Sequence, residues 1–277
     1  MDQLLFGPSG SPRSAARPGT EAGIRRVKEL GLGCLEMALV QRVNIGQETA
    51  RKVRATAKAE GIRLSIHAPY YINLNSREPD KIEGARDRIL KAARAGHWTG
   101  ALDIALHLAY YHDDPPAEVY SRVQHHLSDI LNILRTEGIT DVCLRPEVMG
   151  EPAQFGTLDE VLSLSTEIDG VQPCIDFAHL HARTRGEYNT YNEFCAILRQ
   201  VESKLGRRGL ENMHIHVSGI AYGPRGERHH LILEESDFNY KDLLRALKDF
   251  DCKGLVVNES PNQEVDALRL LETYTSL

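Results

Sequence analysis

Twelve histidines occur in this 277-residue chain, and eight of them fall where short apolar runs end. One run closes on Ser65-Ile66-His67-Ala68-Pro69-Tyr70 and the next on Ala105-Leu106-His107. Leu144-Arg145-Pro146-Glu147 brings a carboxylate, and Ile175-Asp176-Phe177-Ala178-His179-Leu180-His181 brings a carboxylate with two histidines. His214-Ile215-His216-Val217-Ser218 precedes Glu227-Arg228-His229-His230, and Val257-Asn258-Glu259-Ser260-Pro261 supplies the last acid. Imidazole and carboxylate together are the ligands of borderline cations such as Zn²⁺ or Mn²⁺. His67 or His107 alone reads equally well as a hydrogen-bonded core histidine. Glu147 and Asp176 do not, because a carboxylate at a buried strand end costs several kcal/mol unless it is paired or binds metal. Clustered divalent cations acidify water and stabilise the oxygens of an in-line phosphoryl displacement. No Ser-His-Asp or Cys-His arrangement competes with that chemistry.

The elements that must hold these residues repeat. Candidate strands are 4–6, 34–39, 63–67, 103–109, 142–147, 172–177, 213–217 and 254–258, rich in Leu, Ile, Val and Cys as strands buried on both faces should be. Helical spacing fills the gaps at 22–30, 47–59, 82–94, 118–135, 159–168, 193–205, 240–247 and 265–274. Thr157 and Asn239 read as N-caps, and Gly31, Gly61, Gly138 and Gly206 as C-terminal stops. A βα unit repeated eight times predicts an α/β fold: a single (β/α)₈ TIM barrel over residues 1–277, with its active site at the C-terminal ends of the strands. A doubly wound sheet is disfavoured because no GxGxxG follows the first strand. His97, His112, His125 and His126 fall away from the strand ends and read as surface residues. His214 and His216 share a strand face, so both point inward or one lies a layer deeper.

Composition is that of a globular protein, with 42% hydrophobic and 26% charged residues. No apolar run approaches a membrane span, no signal peptide is visible, and five cysteines are dispersed, so a cytoplasmic, membrane-free protein is expected. Formal net charge is −6, which on average repels nucleic acid. Bound divalent ions would offset the ligand carboxylates and make the site locally positive.

The motifs His67-Ala68-Pro69-Tyr70 with Ile72-Asn73-Leu74, Pro146-Glu147 with Gln154-Phe155-Gly156, Cys174-Ile175-Asp176 with His179, His216-Val217-Ser218, and Asn258-Glu259-Ser260-Pro261-Asn262 together resemble the endonuclease IV family of apurinic/apyrimidinic (AP) endonucleases, in its shorter archaeal-type form. The resemblance implies hydrolysis of double-stranded DNA 5′ to an abasic site in base excision repair, leaving a 3′-hydroxyl, by a metal-bound hydroxide at a multinuclear zinc site. Two or three Zn²⁺ ions are implied, with Mn²⁺ as the alternative, and a monomer is expected. The implied ligands are His67, His107, Glu147, Asp176, His179, His216 and Glu259. Glu147 would bridge two metals and hold the nucleophile, Glu259 would help orient it, and Tyr70 would contact DNA.

In the loop after strand seven, the family's Asp-Arg-His is replaced by Glu227-Arg228-His229-His230. Aligning on the acid selects His229, whereas spacing to the next helix selects His230; Glu227 with His230 is preferred for the third metal. Gln41 and Arg42 lie in a short strand-two loop, where they either probe the gap left by a missing base or form a solvated pair. Tyr110, Tyr111 and Tyr222 either border nucleic acid or pack. A sugar isomerase or epimerase is the alternative, since Glu147, Asp176, His216 and Glu259 would suffice for one ion. It has no need of His67, His107, His179 and His230 together. A non-catalytic lesion binder, the third reading, has no need of a nearly full ligand set.

Overall fold

The computed structural model describes residues 2–39 and 43–277, so Gln41 and Arg42 lie outside the described residues. Among those described, eight short parallel strands form the barrel: β1 (Leu4–Pro8), β2 (Cys34–Ala38), β3 (Arg63–His67), β4 (Asp103–Leu106), β5 (Cys143–Pro146), β6 (Cys174–Asp176), β7 (Met213–Val217) and β8 (Gly254–Asn258). β2, β3, β4 and β5 pair in that order, as do β6, β7, β8 and β1. Bridges at Ser9–Glu36, Leu144–Val171 and Glu147–Cys174 join the two runs and close the ring. The chain is a closed α/β TIM barrel.

The helices among the described residues are, in chain order, α1 (Thr20–Glu29), α2 (Gln47–Glu60), α3 (Pro79–Thr99), α4 (Pro116–Thr136), α5 (Leu158–Glu167), α6 (Phe177–Arg183), α7 (Tyr191–Leu205), α8 (Arg207–Glu211), α9 (Tyr240–Asp249) and α10 (Glu264–Ser276). Thr157 caps α5 in a reciprocal capping box with Glu160, and the Asn239 side chain accepts from the Asp242 N–H to start α9. Gly61 ends α2 at φ 68°, ψ 29°, a left-handed stop that suits a residue with no Cβ.

Several strand ends differ by one to three residues from the sequence expectation, and two of the differences bear on the site. The fourth strand ends at Leu106, and Ala109–Tyr110 instead pair antiparallel with Gln154–Phe155 above the barrel mouth. The sixth strand stops at Asp176 because its carboxylate caps α6, accepting from the His179 N–H at 2.7 Å. His179 and His181 are therefore helical residues.

Alternation along each strand sends one set of side chains outward under the helices and the other into the lumen. Ile66, Ile104, Leu144, Ile175, Ile215 and Val256 belong to the main apolar core. Cys34, Leu255 and Val257 form a separate buried apolar group, with Leu5 against it. Much of what remains buried within the ring is polar. Arg145, 1% exposed, donates from Nε to Asp103 Oδ1 at 2.8 Å and from Nη1 to the Asn212 carbonyl at 3.1 Å.

Candidate metal centre

Glu147 follows β5 directly, so its side chain enters the lumen mouth two positions beyond Arg145. Its two oxygens face different histidines. Oε2 lies 3.1 Å from His67 Nε2 and 3.2 Å from His107 Nε2. Oε1 lies 3.1 Å from His179 Nδ1 and 3.5 Å from His216 Nδ1, and that same His216 nitrogen is 3.5 Å from Glu259 Oε2. Residues from β3, β4, β5, β6, β7 and β8, or from the positions just beyond them, thus meet around one carboxylate.

The donors fall into groups whose ligand atoms lie within 4.8 Å of one another: His67, His107 and Glu147; then Glu147, Asp176, His216 and Glu259; then His179, Glu227 and His230. Glu147 belongs to the first two. The third is built by a hairpin, Gly219–Gly223 with Gly226–Leu231, folded back over the mouth. Glu227 Oε2 is 3.2 Å from His179 Nε2, and Glu227 Oε1 is 3.5 Å from His230 Nε2. Gly150 makes room for this, since a Cβ there would come within 2.5 Å of Glu227 Oε2. Its carbonyl also accepts from the Glu227 N–H at 3.1 Å, which pins the hairpin to the loop after β5.

These donors fit divalent cations. Glu147 Oε1, Asp176 Oδ2 and both His216 ring nitrogens are buried without a hydrogen bond, although such groups are costly to leave unpaired. Electrostatics follow from the crowding. Burial would raise the Glu147 carboxyl, but His107 and His216 outweigh it and hold it well below the ordinary range. Burial opposes ionisation of Glu227 as well, yet His179 draws it down to about 2. For Asp176 burial prevails over His179 and the carboxyl is raised. Burial would lower His67, but its hydrogen bond to Glu147 lifts it to about 9. His67, His179 and His216 are all raised, so without cations they would hold protons that balance the carboxylates, and cations would displace them.

Other expected positions separate from the cluster. His229 is exposed and does not belong to the third group. His181 bonds to Asp237 Oδ1 at 3.1 Å and to the Glu187 carbonyl at 2.9 Å, away from the mouth. Tyr222 donates to Asp237 at 2.7 Å, a packing role. Tyr70 stands at the rim, 52% exposed, its ring centroid 5.3 Å from that of His67 and 5.5 Å from that of His107. Tyr110 is exposed near it, whereas Tyr111 is tied by its hydroxyl to Glu160.

Sequence reading missed Glu36. It is fully buried in the middle of β2, hydrogen-bonded from Ser65 Oγ–H at 2.9 Å and paired with His214 Nε2 at 2.9 Å. A lone acid inside the run Cys34-Leu35-Glu36-Met37-Ala38 was the available signal, by the same burial argument that singled out Asp176.

The sequence profile of the family described as "Xylose isomerase-like TIM barrel" matches residues 24–275. An uncharacterized protein of Methanocaldococcus jannaschii is 42% identical over 99% of this chain and 98% of its own length. A "Probable endonuclease 4" of Mycoplasma pneumoniae is 26% identical over 73% of this chain and 69% of its own. Among solved structures, endonuclease IV from Thermus thermophilus superposes with a TM-score of 0.73 at 19% identity, covering 99% of this chain and 98% of that one. A D-tagatose 3-epimerase-like protein gives the same TM-score, 0.73, at 17% identity, covering 98% and 97%. Likeness at these identities is likeness of fold, and it extends to nuclease and epimerase alike.

Proposed function

The chain belongs to the xylose isomerase-like TIM barrel family, and from that premise we propose that it is a metal-dependent AP endonuclease, cleaving double-stranded DNA 5′ to an abasic site and leaving a 3′-hydroxyl. The observation that carries this reading is the third donor group, His179, Glu227 and His230, added beside two groups that share Glu147. Isomerisation at one ion would use Glu147, Asp176, His216 and Glu259 and leave the rest without a role. Space supports the same reading. The cavity over the donors measures about 170 Å³, below the roughly 300–1,000 Å³ of typical small-molecule pockets. A polymer laid across the mouth needs only its phosphodiester to enter.

Imidazole and carboxylate donors suit Zn²⁺, and Mn²⁺ accepts the same set. Cations held there would supply an acidified water and neutralise charge on the phosphoryl oxygens. The chain's own residues do the arranging. Glu147 ties the first two groups together through its separate oxygens, and Glu259 stands beside His216 at the more open side. Tyr70, exposed above His67 and His107, is placed to contact the DNA backbone or the sugar at the lesion. Cations held by these five histidines and four carboxylates would make the mouth locally positive toward a phosphate, despite the net charge of −6.

One observation favours sugar epimerisation instead: the quartet of Glu147, Asp176, His216 and Glu259 is by itself a complete one-ion set. The two readings part in a paired assay of one zinc- or manganese-loaded preparation. It would be offered an abasic duplex and, separately, ketohexoses in deuterated water. Strand nicking without deuterium incorporation is expected; incorporation without nicking would transfer the assignment to the epimerase.

A further inference from the structure

His216 uses its two ring nitrogens in different directions. Nδ1 faces Glu147 Oε1 and Glu259 Oε2, each at 3.5 Å. Nε2 faces the opposite way, 3.1 Å from Glu36 Oε1. Both atoms are fully buried, and among the described residues neither completes a hydrogen bond, so this 3.1 Å approach leaves a ring nitrogen and a carboxylate oxygen facing one another with no other partner. β2 and β7 are not neighbours in the ring, so this contact crosses the lumen. Glu36 is itself held from two sides: Ser65 on β3 donates its hydroxyl at 2.9 Å, and His214 on β7 pairs through Nε2 at 2.9 Å. A carboxylate anchored in this way cannot swing away from His216.

We propose that Glu36 is a positioning residue of the metal centre: its carboxylate takes the Nε2–H of His216 and thereby aims the Nδ1 lone pair at the group formed with Glu147, Asp176 and Glu259. An imidazole that gives one N–H to a carboxylate is fixed in tautomer and in ring orientation, and its other nitrogen becomes the more basic donor. Ser65 and His214 act one step further out, by bracing Glu36. The arrangement also gives Glu36 a reason to be charged in an otherwise apolar strand, where a hydrophobic residue would pack at lower cost. Cys174 and His214, which with His216 form a deeper set of donors, fall under the same account. His214 Nε2 is already committed to Glu36.

The inference rests on the metal-centre reading but not on DNA as the substrate. Its test is cation binding by Glu36→Gln, which keeps the size and an acceptor oxygen but removes the charge. Zn²⁺ affinity would be measured by competition with a chromophoric chelator, and ligand geometry by the visible spectrum of the Co²⁺-loaded protein. Affinity about 10–100-fold weaker for one cation, with an altered Co²⁺ spectrum and the remaining cations retained, is expected. Affinity within twofold of the parent with an unchanged spectrum would overturn the proposal, whatever happened to the melting temperature. Should Glu36→Gln fail to fold, Ser65→Ala removes one brace and must shift affinity in the same direction; no shift there overturns it equally. A parent protein that binds cations but leaves abasic DNA intact would count against the endonuclease alone. A parent that binds none would end both.

Discussion

Glu227 and His230 lie three positions apart on one strand, yet their side chains converge, Glu227 Oε1 standing 3.5 Å from His230 Nε2. Regular alternation would have put Glu227 on the same side as His229. The hairpin's register slips between Ala221 and Tyr222, leaving Arg228 unpaired and rephasing the strand so that His230 turns inward. Replacing His230 with Ala should therefore lower the bound metal by one ion per chain, while His229→Ala should leave the count unchanged. Elemental analysis of the two purified variants checks this, and equal retention would remove Glu227 and His230 from the site.

Among the described residues, Glu147 is the one carboxylate shared between two donor groups. Glu147→Gln should reduce nicking by more than about 100-fold, since even losing an outer partner of a metal ligand typically costs 10–100-fold. Far-ultraviolet circular dichroism should be unchanged. Activity within tenfold of the parent would show that Glu147 is not a shared ligand.

Cation binding should depend on pH in a definite direction. His67 is raised to about 9, with burial opposing and Glu147 driving the shift. Below that value the metal-free ring carries a proton that a cation must displace, so affinity should fall steadily as the pH drops. Calorimetric titrations in buffers of different ionisation enthalpy should give different heats, reporting the released protons. A flat pH profile with buffer-independent heats would contradict the exchange of a His67 proton for a cation.

Asp103 and Arg145 make a buried pair below the site, with Nη2 2.7 Å from Oδ1. Asp103→Asn leaves Arg145 buried without its counter-charge and should cost about 3–5 kcal/mol in urea unfolding. Burial opposes the Asp103 charge, but Arg145 prevails and its carboxyl lies below the ordinary value. A depressed carboxyl contributes stability that is present above its unfolded value and lost as the pH falls through the folded one. The parent should thus lose this increment only in strong acid, and Asp103→Asn should lack that step. An unchanged unfolding midpoint in the variant would show the pair to be dispensable.

The barrel was legible because its strands are buried on both faces and read as short apolar runs, eight in number, each followed by helical spacing. The donors were legible where they stood at the ends of those runs, as His67, Glu147, Asp176 and Glu259 do. What could not be read depends on distance across the lumen or on local geometry. Glu36 faces His214 and His216 only once the ring closes, so nothing adjacent in sequence marks it. His181 looked equivalent to His179, but the turn of α6 that Asp176 caps carries the two apart. The choice between His229 and His230 rests on a bulge, which alternation alone does not reveal. Pairs as short as Ala109–Tyr110 with Gln154–Phe155 carry too few residues to leave a pattern.

The central claim is most directly tested on a duplex with one tetrahydrofuran-type abasic site, which cannot undergo β-elimination. The metal-loaded protein should cut it on the 5′ side and leave a 3′-hydroxyl that a polymerase extends. Prolonged chelation should abolish cutting, and added Zn²⁺ or Mn²⁺ should restore it. An intact duplex, with cations verified in the protein, would contradict the account.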